Sequence, residues 1–446
     1  MTYTAEIVKY IGESRLDRIP AGVRHEAKRA LVNIVGCALG GAEHPAMDMT
    51  IAALGPFAGP ATASVLGRRE RFDPLLASLL NGISSHVHDY DDTLPRNYIH
   101  ASSPVASALF AYASANKVSG ADFLHAFILG FEVVARIGNA TYPAHYVAGW
   151  HSTGSIGVFG AAVAVAKLLD LDAERTTYAI GLAATQAAGI REMFGSMGKA
   201  FHPGRSAQSG YMAALLAKQG FTTGRFPLEG PRGFAAVTAA ACDLPTLTAG
   251  LGETYELSVN AYKPFPCGIV VHPTIDACMQ LRAKHGLAAD QIAAVELRVA
   301  PLVLDLCNKK VINTGLEGKF SIYHATAIGL GRSKVGLAEF TDKTVNDPAI
   351  KAIREATTAV ADPSVSEDGV NVSVRLKDGR SVGMKLGQSL GNLARPLSNA
   401  QLEAKFRDQV TVISPAQTDK AIAACWEIEE AADVAGLIGH CIPTAK

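Results

Sequence analysis

Charge is sparse in this sequence of 446 residues, and neither sign is in excess. Asp, Glu, Lys and Arg make up 18% of it, with 41 basic residues against 41 acidic ones. This excludes a nucleic-acid binder that works through bulk charge, because neutralising phosphates needs a basic surface. Long apolar runs are missing as well. The longest, Ile156 to Ala166, stops at Lys167, short of the roughly 18–20 residues that cross a bilayer. The first 18 residues mix charges into their apolar positions and carry no signal-peptide core. The expectation is a protein with neither a membrane nor a nucleic-acid partner. Seven cysteines (Cys37, Cys242, Cys267, Cys278, Cys307, Cys425 and Cys441) form no CxxC pair. That argues against a disulfide framework or a zinc ribbon, and for a cytoplasmic location. There is no P-loop and no GxSxG, and Gly154-x-x-Gly157-x-x-Gly160 lacks the spacing of a dinucleotide fingerprint.

Hydrophobic residues, by contrast, reach 48%, enough for large cores, and the length suggests two domains. Pro20 stands at a helix start. Val23, Ala27, Ala30, Leu31, Ile34, Val35 and Ala38 follow at helical spacing until Gly40-Gly41. Similar blocks are predicted at 74–83, 103–116, 120–137, 156–169 and 173–189, with shorter ones at 208–219 and 244–250. The texture changes after Pro264. Val295–Val299 alternates as a half-buried strand does, and 370–376 and 381–386 flank Asp378-Gly379 as a hairpin. Residues 273–285 and 320–330 are helical in pattern. Ser398-Asn-Ala-Gln401 is a capping box, and 418–437 closes the chain as helix. The predicted fold class is mainly α and two-domain: a large all-α domain (1–262, with 398–446 returning to it) plus a smaller inserted α+β domain (263–397).

Four segments gather ionisable residues in apolar surroundings. They are His86-Val-His88-Asp89-Tyr90-Asp91-Asp92-Thr93 with Arg96 and His100, then His145-Tyr146 to His151-Ser-Thr153-Gly154. The others are Gly198-Lys199 with His202 and Arg205, and Lys263-Pro-Phe-Pro-Cys267-Gly268 with His272. Gly and Pro in or beside them suggest loops and helix ends. Lys and His recurring at helix edges of a low-charge domain would suit a small polycarboxylate, with helix N-termini adding positive potential. A Mg²⁺ site wants acids one helical turn apart and a second acidic cluster, whereas Asp89, Asp91 and Asp92 are spaced i, i+2, i+3. His86-x-His88 lacks a third-ligand pattern. No metal is expected.

These segments resemble the MmgE/PrpD family, whose members include 2-methylcitrate dehydratase, cis-aconitate decarboxylase and iminodisuccinate epimerase. The resemblance rests on His-x-x-Asp89-Tyr-Asp-Asp-Thr93 with His100-x-Ser, Gly149-Trp-His151-x-Thr-Gly, Gly198-Lys199 with His202, Lys263-Pro-Phe-Pro-Cys, and Gly318-Lys319-Phe320-Ser321. It implies a helical domain plus an α+β domain in a homodimer, no cofactor, a di- or tricarboxylate substrate, and Asp89, Thr93, His100, His151 and Lys199 lining the site. Two departures stand out. Gly268 occupies the place where decarboxylase-type members carry a His, and the Thr93–His100 spacer is one residue longer and lacks the usual Trp-His-Pro.

All three activities must stabilise negative charge on a carbon beside a carboxylate, with a base of tuned pKa nearby. Overall likeness points to the epimerase type, inverting a carbon alpha to a carboxylate by two-base proton transfer. Lys199 would work one face and Tyr146, His145 or His151 the other. His100, Arg96 and Asp89 would orient the substrate or tune pKa values, and Thr93, His202, Arg205, Lys263 and His272 would complete its binding. The alternatives are a dehydratase with His100 as acid, a decarboxylase, and a carboxylate-binding protein without catalysis.

Overall fold

The computed structural model describes residues 2–444. Helix Ala21–Gly41 begins directly after Pro20 and buries almost its whole second half. It packs on helix Pro74–His86, whose N-terminus is closed by Asp73 accepting from the N–H groups of Leu75 and Leu76. Helices Ser102–Ala115, Gly120–Thr141, Ser152–Leu168 and Met197–Lys218 complete the centre of this assembly. Small residues set its spacing. A Cβ on Gly210 would lie 2.5 Å from Ala161 Cβ and 2.6 Å from Val158 O, so Met197–Lys218 rests almost backbone to backbone on Ser152–Leu168. Gly210→Val should therefore cost about 1–3 kcal/mol through overpacking. A thermal midpoint equal to that of the wild type would contradict this.

Local sequence signals misplace several boundaries. Residues 197–218 form one helix with Pro203 inside it, although the sequence predicts a helix only from 208. Tight packing overrides the missing donor: a Cβ on Gly204 would lie 2.5 Å from Leu79 O of helix Pro74–His86. The helix starting at Ala173 ends at Ala184, and 244–250 contributes only the 3-10 turn Leu244–Leu247. The closing stretch divides into Pro415–Trp426, the turn Ile428–Glu430 and Ala435–His440.

The protein is mainly α and two-domain. Its second domain carries a four-stranded sheet in the order Thr357–Ala361, Ile292–Val299, Val370–Leu376, Ser381–Leu386. The first pair is parallel, with Val295 beside Thr357. The others are antiparallel, with Leu297 opposite Val372 and Val372 opposite Met384. Gly379, at φ +90°, closes the hairpin as its turn requires. Thr357–Ala361 carries no clear alternation and is not predicted from the sequence. Helices His272–His285 and Ile322–Gly331 pack together against this sheet.

One hydrophobic core runs from Ile7 to Tyr262 and takes in Leu397, Phe406, Ile422 and Leu437; a second holds Phe265 to Leu376. The chain crosses between them at 263–264, beside the functional segments. Among the described residues, no helix is long and apolar enough to cross a membrane.

Candidate active site

Four elements deliver the site. Helix Pro74–His86 ends in a sharp turn in which Asp89 takes the left-handed backbone conformation, φ +52°. Such a conformation is uncommon outside glycine, although Asp tolerates it better than most. His151 is the residue before helix Ser152–Leu168, and Lys199 lies in the first turn of Met197–Lys218. Lys263 comes from the segment between the two cores.

These residues meet in a narrow cleft lined by Asp89, Thr93, His100, Tyr146, His151, Lys199 and Lys263. Its other wall is apolar and includes Phe194, Val270, Leu306 and Phe320. Lys199 Nζ and Lys263 Nζ each donate to the same oxygen, Asp89 Oδ1, at 2.7 Å. Asp89 Oδ2 is buried without a partner. Behind this trio, His86 Nδ1 bonds to Asp91 at 2.9 Å, and His100 Nδ1 lies 3.3 Å from Asp91 Oδ1 and 3.2 Å from Thr93 Oγ1. His151 Nδ1 and His202 Nδ1 are 2.8 Å apart. Lys199 Nζ also sits 5.2 Å and 5.3 Å from the ring centroids of Phe194 and Phe320, so the ammonium bridges the polar and aromatic walls.

Burial sets the protonation states. It would raise the Asp89 carboxyl, but the Lys199 and Lys263 ammoniums outweigh it and hold Asp89 well below the usual carboxylate range. Asp91 is held down likewise, against its own burial, by His100 and His86. Burial pulls the Lys199 ammonium below its ordinary value, with Asp89 pulling the other way. His151 falls well below the usual imidazole range through burial and the Lys199 charge, and burial takes His86 and His202 down to about 4. Asp92 behaves oppositely. Burial raises it to about 6, although Ser102 and Asn260 both donate to its Oδ2 at 2.6 Å.

A pH prediction follows. A histidine held below its unfolded pKa binds fewer protons when folded, so its contribution to stability is full above about 6.5 and declines toward the folded value. His86, His145 and His202 all sit near 4. Asp92, and Glu132, which burial raises to about 7, act in the opposite sense but are fewer. The thermal midpoint should fall steadily from pH 6.5 to pH 4; a flat profile there would refute the assignment of these histidines as neutral.

Of the residues singled out from sequence, Asp89, Thr93, His100, Tyr146, His151, Lys199 and Lys263 converge on the cleft. The other five do not line it. Arg96 and Arg205 are exposed, and Arg205 bonds to Gln208. His145 is fixed by Ser155 Oγ and Thr238 O and stacked on Trp150. His202 stands behind His151, and His272 bonds to Cys267 O. Each of these histidines is held by its hydrogen-bond partner behind or beside the cleft wall. The placement of functional groups at loops and helix ends also needs amending, because His202 and Arg205 lie within helix Met197–Lys218.

His86, Asp89, Asp91 and His100 bring ligand atoms within 4.8 Å of one another. Asp89 Oδ1 already accepts from two ammoniums and His86 is bonded to Asp91, so a cation would face two adjacent positive charges. His88 is elsewhere, bonded to Gly40 O. The donor set suits a charge-compensated network better than a metal centre. Sequence reasoning missed Tyr98, which lines the cleft at φ +58° and bonds to Glu367, and Phe194. Neither carries a local signal. Phe320 lay within a motif but was given no role.

A helical domain joined to a smaller α+β domain, with clustered lysines and histidines between them, defines a class. The family model for the MmgE/PrpD N-terminal domain matches residues 5–245, and that for the MmgE/PrpD C-terminal domain matches 265–428. The chain belongs to the MmgE/PrpD family. It is 26% identical to the cis-aconitate decarboxylase-like protein oryM of Aspergillus oryzae, covering 98% of this chain and 96% of that one. It is 28% identical to cis-aconitate decarboxylase of Homo sapiens over 76% of this chain and 73% of the human one. With 2-methylcitrate dehydratase of Cupriavidus necator it shares 24% identity over 81% and 78%. These relatives are a decarboxylase-like protein, a decarboxylase and a dehydratase. They favour a lyase over the epimerase expected from sequence.

Proposed function

We propose that this protein is a lyase that removes carbon dioxide from a small tricarboxylic acid of the cis-aconitate type. The observation that carries the reading is the pairing of Lys199 and Lys263 on one Asp89 oxygen, directly against the Phe194–Phe320 wall. The ammoniums and the neighbouring imidazole N–H groups bind the carboxylates that stay. The departing carboxylate lies on the aromatic side, where a neutral product is better accommodated than an anion. Its C–C bond breaks, carbon dioxide leaves, and the electron pair moves through the adjacent double bond to the carbon beside a retained carboxylate held by those cations. The Lys199 ammonium supplies the proton that quenches this carbanion and regains one from water. Burial has already weakened its hold on that proton.

A second reading, dehydration of a hydroxy-tricarboxylate, is favoured by Gly268, which lines the cleft where decarboxylase-type members have a His. Here neutral Lys199 takes the proton alpha to a carboxylate and His100 protonates the departing hydroxyl. Carbon dioxide release and near-ultraviolet absorbance, followed together on cis-aconitate and 2-methylcitrate, test both. The proposal expects one carbon dioxide per acid consumed. Water loss without carbon dioxide would transfer the assignment to the dehydratase, and inversion without either product would overturn the lyase reading.

A further inference from the structure

The turn that carries Asp89 is held in an unusual way. Its three successive carbonyls, those of His88, Asp89 and Tyr90, each accept from a different buried lysine. Lys319 Nζ donates to His88 O at 2.8 Å and to Pro266 O at 2.7 Å. Lys263 Nζ donates to Asp89 O at 3.1 Å and to Cys267 O at 3.0 Å, besides its bond to the carboxylate. Lys405 Nζ donates to Tyr90 O at 2.6 Å and to Asn33 Oδ1 at 2.7 Å, and lies 3.9 Å from the centre of the Tyr90 ring.

The three lysines come from separate places: the crossing segment, the second domain, and helix Asn399–Gln409 of the C-terminal region. All are at most 7% exposed. Burying an ammonium is costly unless its surroundings satisfy it, so three of them on adjacent carbonyls need an explanation beyond stability. Asp89 supplies one. It sits at the middle of the trio with left-handed backbone geometry, and its carboxylate meets both cleft lysines.

We propose that Lys319 and Lys405, which do not line the cleft, are positioning residues. With Lys263 they pin the 88–90 carbonyls and so fix the Asp89 carboxylate against Lys199. They touch no reacting atom, and the reaction itself rests on the function proposed above. The consequence is read at Lys199. Asp89 and Asp91 raise its pKa, whereas burial and Lys263 lower it; His86, His100, His151, His202 and Lys319 are further groups in its field. If Asp89 swings away, the Lys199 inflection moves to lower pH. A loosened fold would do the reverse, because a hydrated lysine returns toward about 10.4.

The test compares full-length wild type, Lys405→Met and Lys319→Met. The inflection is read in Lys405→Met, because removing the Lys319 charge from the field of Lys199 would by itself raise the Lys199 pKa. Turnover is measured, and Lys199 is titrated independently through the pH dependence of its carbamylation by cyanate, followed by peptide mass spectrometry. Lys405→Gln serves where Lys405→Met does not fold. Misplacement of a catalytic group by about 1 Å costs on the order of 10²-fold, so kcat should fall about 10- to 100-fold, with KM changed less than about 3-fold. The Lys199 inflection should drop by at least about half a unit, part of the one to three units that a nearby opposite charge supplies. An inflection that stays put or rises, or an undiminished kcat, overturns the positioning role. Should the wild type turn over none of the acids, the functional reading fails, while the cyanate titration still decides this one.

Discussion

Asp89→Asn should lower the thermal midpoint sharply at pH 7 and abolish most of the activity. The carboxylate is 3% exposed and is the only anion within hydrogen-bond reach of Lys199 and Lys263 among the described residues. Removing its charge leaves two buried ammoniums facing each other, and breaking a buried pair costs about 3–5 kcal/mol because an uncompensated charge remains. Asn is well suited to the left-handed backbone at this position, so the loss would report charge and not conformation. The pH dependence has a definite sign. Without the carboxylate Lys199 holds its proton less tightly when folded than when unfolded, so the deficit should shrink as pH rises from 7 toward 9.5. A deficit of constant size across that range, or none at pH 7, would refute the charge-compensation account.

Lys199→Met should separate chemistry from stability. Asp89 would keep Lys263 as a partner at 2.7 Å, so the stability loss should be smaller than in Asp89→Asn. The rate loss should be at least about 10²-fold in kcat, the range typical for a general acid or base. KM should rise as well, because one of the two cleft ammoniums that bind carboxylates is gone. Steady-state kinetics on the best acid substrate checks this. Near-normal turnover would remove Lys199 from the reaction and leave it a structural cation.

What the sequence disclosed was mostly local. Ser398 and Gln401 do form a capping box, and Asp378-Gly379 does close a hairpin, because each signal involves only neighbouring backbone groups. Residues 197–218 were misjudged because packing against helix Pro74–His86 carries the helix through Pro203. The site was partly legible: Asp89, His100, His151 and Lys199 stand in segments whose charge contrasts with their surroundings. Arg96 and Arg205 stand in the same segments, but their side chains are exposed, a distinction no one-dimensional pattern contains. The roles of Lys319 and Lys405 were invisible for a related reason. A lysine reads as surface charge until the carbonyls it satisfies, 231 and 315 residues away in sequence, are known.

The most direct test of the central claim follows cis-aconitate by proton NMR in D₂O with the wild-type protein. Each turnover should yield one carbon dioxide and a product bearing a single deuteron at the carbon beside a retained carboxylate that received the electron pair, delivered from the exchanged Lys199 ammonium. Deuterium entering recovered substrate while its carbon skeleton stays intact would mean that the cleft moves protons without breaking a carbon–carbon bond, and would contradict the account.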